Sequence, residues 1–268
     1  MFDAVLQRAP LFLLIAIRVF AFLMTVPMFS MRTVPRTAKI ALAGYMAFFV
    51  MGTVEFPSYV PYISGDGAFS IYFILLALGE GLIGIILGFY VTIIFSAFST
   101  AGQFTAFQMG FSAASTYDAL AQVENPLMGQ FFNFVATLIF LQSKWFQKLF
   151  LQGLVTSFQT INAVNIVQNT DGFIKFMLSG LTKLFADALV ISLPLMGTLL
   201  LISVCTGLLS KAAPQINLLS EGFPIMILVS FFLIATILPY MCDFFIGSFA
   251  KGFDVLQQLF INTGGSIK

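Results

Sequence analysis

The sequence predicts an all-α, polytopic membrane protein built of helical hairpins with kinked and broken helices. Three observations carry that expectation. Of the 268 residues, 59% are hydrophobic and 9% charged, with a mean hydropathy of +1.01, whereas soluble domains are about one quarter charged. The charges fall singly or in twos and threes along the whole length, so no separate soluble block remains and 1–268 reads as a single membrane-embedded domain. Apolar runs such as IYFILLALGEGLIGIILGFYVTIIF lack the alternation that a membrane β-barrel needs. Helices then satisfy every backbone group in lipid without a partner strand.

Taken in order, the apolar runs place helices near 9–31, 40–54, 68–98, 125–143, 149–170, 184–209 and 222–249. The first run contains Arg18 and ends without a small-x-small cleavage site, so it reads as a retained helix rather than a signal peptide. After it, SMRTVPRTAK carries Arg32, Arg36 and Lys39 and is expected on the cytoplasmic side. The next connection, VEFPSYVPYISGDG, has Glu55 and Asp66 with no basic residue and is expected on the opposite side. Lys144, Trp145 and Lys148 suit an interface. One crossing by 68–98 and one return by 125–143 strand these lysines outside, against the positive-inside rule. An additional passage by the stretch between them, buried in protein rather than lipid, removes the conflict.

That stretch is AGQFTAFQMGFSAASTYD, Ala101 to Asp118, too polar for a span and too apolar for an ordinary loop. Gly102, Gly110, Ala113 and Ala114 permit close backbone approach. Gln103 and Gln108 supply uncharged hydrogen bonds, and Phe104, Phe107, Met109 and Phe111 supply deformable apolar contacts. Two readings stand on residue types alone: a yielding closure of a pore, or a small-residue helix packed tightly on its neighbours. Arg18 and Glu80 lie inside apolar runs, where ionisable residues are costly and are paired or face a cavity; structural pairing is favoured over ion transport. Pro27, Pro194, Pro224 and Pro239 predict kinks or breaks. In GLLSKAAPQINLLSEGFPIMILV, a helix ends near Ser210 and Pro214, Gly222 and Pro224 make a structured elbow before the next.

Several classes of function are excluded. A net charge of +1 without a basic cluster gives no nucleic-acid surface. The absence of His, with Cys205 and Cys242 each inside an apolar run, removes the ordinary zinc, haem and Cys-His sites; neither a metal nor a cofactor is expected. Asp118 lacks the second aspartate of an intramembrane aspartyl protease, since Asp66 sits in a polar SGDG turn, and a rhomboid-type serine protease needs a His. The chain is not expected to be an enzyme. A solute transporter predicts internal repeats with matched breaks, and none is evident.

Three stretches together, IRVFAFLMTVPMFSMRTVPRTAKIALA, AGQFTAFQMGFSAASTYD and LLSKAAPQINLLSEGFPIMI, resemble the FliR family of flagellar biosynthetic proteins and its counterparts in virulence-associated type III secretion. The likeness runs in order from about Arg18 to Asp243. It implies a core subunit of the export gate in the bacterial inner membrane, at the flagellar basal body, packed with FliP and FliQ into a helical multi-subunit cone. It also implies work with FlhB and FlhA on unfolded export substrates, and lipid contact over part of the surface. By this resemblance the pore-plug loop falls on Gly102, Gln103, Phe107, Gln108, Met109, Gly110, Phe111 and Ser112, which turns the balance toward the plug. Arg18, Pro27, Pro35 and Lys39 match the N-terminal motif, and Pro214, Gln215, Gly222, Phe223 and Pro224 the C-terminal one, with roles in shaping elbows and subunit contacts. Ala119 departs from the proline that follows this tyrosine and aspartate in relatives. The flagellar system is preferred over the injectisome.

Overall fold

Apolar helices that exceed the length of their apolar runs define the architecture. The computed structural model describes residues 2–31, 34–54, 59, 71–110, 127–163, 170–212 and 222–264, and contains no strand among them. The helices are α1 (Phe2–Thr25), α2 (Pro27–Ser30), α3 (Arg36–Thr53), α4 (Ile71–Gln108), α5 (Leu127–Gln142), α6 (Trp145–Lys148), α7 (Val155–Thr160), α8 (Thr170–Ala212) and α9 (Phe223–Gly264). Between α6 and α7, Leu149–Leu154 forms a π-helical segment, and its flanking residues Lys148 and Val155 both keep right-handed helical dihedrals. Trp145 to Thr160 is therefore one helical arm with a widened middle.

The boundaries follow local chemistry. α1 stops before Pro27, which opens α2 with its φ preset and no N–H to satisfy. Pro35 likewise sits at the N-cap of α3 with φ −63° and ψ 144°. After α5 comes Lys144, a non-glycine residue at φ 56°, in the left-handed region that L side chains seldom enter. Pro194 and Pro239 lie inside α8 and α9, which continue through them. The expected breaks at these two positions are absent, while Pro27 does separate two helices and Pro224 falls in the first turn of α9.

Other expected bounds also move. The run near 9–31 ends as a helix at Thr25. The run near 68–98 continues ten residues further as α4, so the first part of the Ala101–Asp118 stretch, up to Gln108, is helix. α8 and α9 extend past their apolar runs across Asp171, Lys175, Lys183, Lys251 and Asp254. Charged residues end an apolar run without ending a helix, because Lys and Glu propagate helix as well as Leu does and Asp costs only a fraction of a kilocalorie, about 0.7 kcal/mol at most. Three helices, α4, α8 and the Pro224–Asn262 part of α9, are long and apolar enough to cross a membrane.

Contacts group the chain into two compact units, each assembled from separate segments. Unit 1 comprises Met1–Ile93, Lys144–Gly180 and Lys251–Lys268. Its core includes Leu14, Ile15, Val19, Phe22 and Leu23, one stripe of α1 at helical spacing. α3 packs on α1, and Tyr90 stacks on Phe176 with ring centroids 4.2 Å apart. Trp145, expected at an interface, is instead buried against Phe253 at 5.8 Å, with the Lys148 ammonium 4.4 Å from its ring centre. Unit 2 comprises Ile94–Ser143 and Leu181–Ala250. Its centre is aromatic: Phe98 meets Phe245 at 4.2 Å, and Phe249 lies within 5.3 Å of Phe95, Phe98 and Phe140. Such pairs add about 0.5–1.5 kcal/mol each beyond burial.

Candidate functional site

Arg18, in the middle of the α1 stripe, is fully buried, and so is Glu80 on α4. Two charges taken out of water cost several kilocalories each unless they are paired and every donor is used, on the order of 5 kcal/mol apiece. The cluster in unit 1 comes within one N–H of that condition. Arg18 Nε and Nη2 donate to the two oxygens of Glu80 at 2.6 and 2.9 Å, a bidentate fork. Nη2 also donates to the Ile161 carbonyl at 2.9 Å and Nη1 to Ser157 Oγ at 3.1 Å. Ser157 passes its own proton to the Leu154 carbonyl at 2.6 Å, and the Phe158 ring lies 4.0 Å below the guanidinium carbon.

Tyr59 completes the set by donating its hydroxyl to Glu80 Oε1. Burial, reinforced by the Glu80 carboxylate and opposed by Arg18, pushes this phenol well above its usual range. It therefore stays protonated and keeps donating. One guanidinium and one carboxylate thus fasten α1, α4, the residue Tyr59, and the end of the Trp145–Thr160 arm. Four of the five guanidinium N–H groups and both carboxylate oxygens have partners, which makes the cluster a fastening rather than a site for an exchangeable ion.

The approach of α1 to α4 depends on Gly84 and Gly88. A Cβ on Gly84 would fall on the Arg18 carbonyl and 3.0 Å from Ala21 Cβ; one on Gly88 would strike Thr25 Oγ1 and lie 2.8 Å from Phe22 O. Thr92 Oγ1 reaches across to the Thr25 carbonyl at 2.7 Å. Small residues four apart with a hydroxyl crossing one turn on is the packing that membrane helices use. Sequence reasoning missed this pair, although the GIILG spacing inside an apolar run carries the signal.

The stretch expected to form the plug is divided. Gly102, Gln103, Phe107 and Gln108 are the last turns of α4, with Gly102 buried and Phe107 70% exposed. Gly102 lies so close to α5 that an added Cβ would come within 2.6 Å of Gly129 Cα. Met109 is fully buried in unit 2, its N–H bonded to Thr105 O at 2.9 Å. Gly110 then leaves the helix at φ 86°, with its N–H 3.2 Å from Phe107 O, the glycine-terminated ending open to few other residues. Phe111 and Ser112 lie outside the described residues.

Of the other motif residues, Lys39 is buried and donates to the Met31 carbonyl at 3.3 Å, so it ties α3 to the exit of α2. Pro27 and Pro35 cap those turns as described. Gly222 is buried, Phe223 begins α9 and Pro224 follows it exposed; Pro214 and Gln215 lie outside the described residues. A second polar group escaped sequence reasoning. In unit 2, Lys183 and Asp187 pair one helical turn apart on α8, and both bond Ser248 of α9, with Lys183 Nζ 3.0 Å from Ser248 Oγ. The i, i+4 spacing was its only sequence signal.

Helices and no strand among the described residues, three of those helices of membrane length, and a buried ion-pair fastening together make a polytopic helical membrane protein. The sequence matches the family described as bacterial export proteins, family 1, over residues 9–252. It is 32% identical to the flagellar biosynthetic protein FliR of Bacillus subtilis over 234 residues, 87% of each chain. With FliR of Escherichia coli the identity is 30% over 246 residues, 91% of this chain and 90% of the relative. The surface presentation of antigens protein SpaR of Shigella flexneri is 29% identical over 181 residues, 66% of this chain and 68% of the relative. The chain belongs to the FliR family of bacterial export proteins.

Proposed function

We propose that this chain is a core subunit of the flagellar type III protein export gate in the bacterial inner membrane. It assembles there with FliP and FliQ, works with FlhB and FlhA, and conducts unfolded flagellar substrates. The observation that supports export is kinship with flagellar biosynthetic proteins along residues 9–252. The flagellar relatives are matched over more of the chain than SpaR is, which favours flagellum over injectisome.

The geometry supports an assembled subunit. α4 has 38 residues, about 57 Å at 1.5 Å per residue, and its sole charge is the buried Glu80. A bilayer core is about 30 Å thick. Roughly half of this uncharged helix surface therefore needs protein around it rather than lipid. Arg18 and Glu80, the charges that a solute-transporter reading would use first, are held by one another.

The end of α4 is the plug in this reading. Exposed Phe107, buried Met109 and the turn at Gly110 deliver an uncharged segment to the pore axis. Uncharged groups seal against ions, because a pore that excludes water leaves an ion without hydration. They also part for a passing chain, since no salt bridge must break. Replacing Met109 by Asp is expected to add ion conductance to membranes that contain the assembled gate, measured as current across planar bilayers. Normal assembly and export with unchanged conductance in this variant and in Gly110→Asp contradict the plug assignment.

A further inference from the structure

Asp243 is an exposed carboxylate in the wrong surroundings. It is the sole charge of α9 between Gly222 and Lys251, and it makes no ion pair or hydrogen bond with any described residue. The opposite face of α9 is the packed one, with Ile234, Met241 and Phe245 buried. Asp243 belongs to the outward stripe Phe232, Thr236, Tyr240, Asp243 and Gly247, spaced four, four, three and four residues apart. Phe232 is 66% and Tyr240 75% exposed, and an added Cβ on Gly247 meets nothing. The Thr236 hydroxyl is already bonded to the Leu233 carbonyl of its own helix at 2.8 Å. The carboxylate is left as the unanswered polar group of the stripe.

Lipid does not answer it. An aspartate at the centre of a membrane helix is costly in lipid, and its single methylene cannot carry it to the interface as the stem of a lysine does. Lys251 lies eight residues on, about 12 Å along the axis. A water-filled conduit suits the carboxylate but not the two exposed aromatic rings beside it. A protein helix suits all five residues: aromatic anchors for packing, Gly247 for close approach, and a charge to set the register.

We propose that this stripe of α9 is the seat of a helix from a different subunit, and that a Lys or Arg on that helix pairs with Asp243. In this chain Arg18 and Lys183 are already paired, and the remaining cations of α8 and α9, Lys175, Lys211 and Lys251, stand about 12 Å or more along the axis from the helix middle, the level at which Asp243 sits, so a second copy does not place a cation opposite it. The inference rests on the reading of the chain as one subunit of a membrane assembly, and names how one neighbour is recognised.

The test places photo-reactive benzoylphenylalanine at position 240 of the full chain in its native membranes. Expected is an adduct with one other membrane protein, mapping to a helical peptide that contains Lys or Arg. Its yield falls roughly tenfold or more in an Asp243→Asn background, as for loss of one member of a desolvated charge pair, and survives Asp243→Glu. An adduct with lipid alone, with a second copy, or with an exported chain overturns the proposal, as does a protein adduct whose yield ignores Asp243→Asn. If partner proteins co-purify while position 240 captures none of them, the seat is wrong and the assembly stands. If none co-purify, both fall.

Discussion

Arg18 engages Glu80, Ser157, Ile161 and Phe158 at once, so removing it alone and removing the pair are different experiments. Arg18→Met strands the Glu80 carboxylate among apolar groups with Tyr59 its remaining donor, and Glu80→Met strands the guanidinium. Each single change is expected to lower stability by about 3–5 kcal/mol. The double change to methionine is expected to cost less than either, because no buried charge remains. Thermal unfolding of the purified protein in detergent reads the order directly; a double variant as damaged as the sum of the singles contradicts the fastening. Arg18 and Glu80 were legible separately in the sequence, as lone charges in apolar runs. Their partnership was not, because the two lie 62 residues apart, and Ser157 and Tyr59 are residue types that occur anywhere.

Helices, rather than single residues, decide how α4 serves both units. Its first half is held to α1 through Gly84 and Gly88, and its last turns to α5 through Gly102. Gly88→Val puts three carbons where Thr25 Oγ1 and the Phe22 carbonyl stand, and separation of the two helices is the one relief. A loss of about 3 kcal/mol is expected, seen as a lowered unfolding temperature together with a lowered crosslinking yield between cysteines placed on α1 and α4; an unchanged yield means the helices do not depend on this approach. Element type was readable from hydropathy everywhere. Element length was not: α4, α8 and α9 carry on through polar and charged residues that close an apolar run while leaving helix propensity intact. The Ala101–Gln108 stretch takes the helical form that was one of its two readings, since glutamine, alanine and phenylalanine there are all compatible with helix, and the exit comes at Gly110.

The molecule as a whole has more apolar helix surface than a bilayer can cover. α8 and α9, of 43 and 42 residues, are each about 60 Å long, and they expose large side chains such as Phe185, Leu193, Leu201, Leu228 and Phe232. Counting each apolar run as a span sets Lys144 and Lys148 outside, against the positive-inside rule. Three helices qualify by length and composition, whereas seven runs were apparent in the sequence. The residue-level fastenings and the glycine contacts are internal to the chain; the surplus apolar surface and the unanswered Asp243 point outward, toward other subunits. The most direct measurement of the central claim is mass spectrometry of the intact complex, purified on a tag at this chain from its native membrane in mild detergent. An export-gate subunit is recovered as one defined hetero-oligomer with FliP and FliQ. A stable particle containing this chain alone contradicts the account.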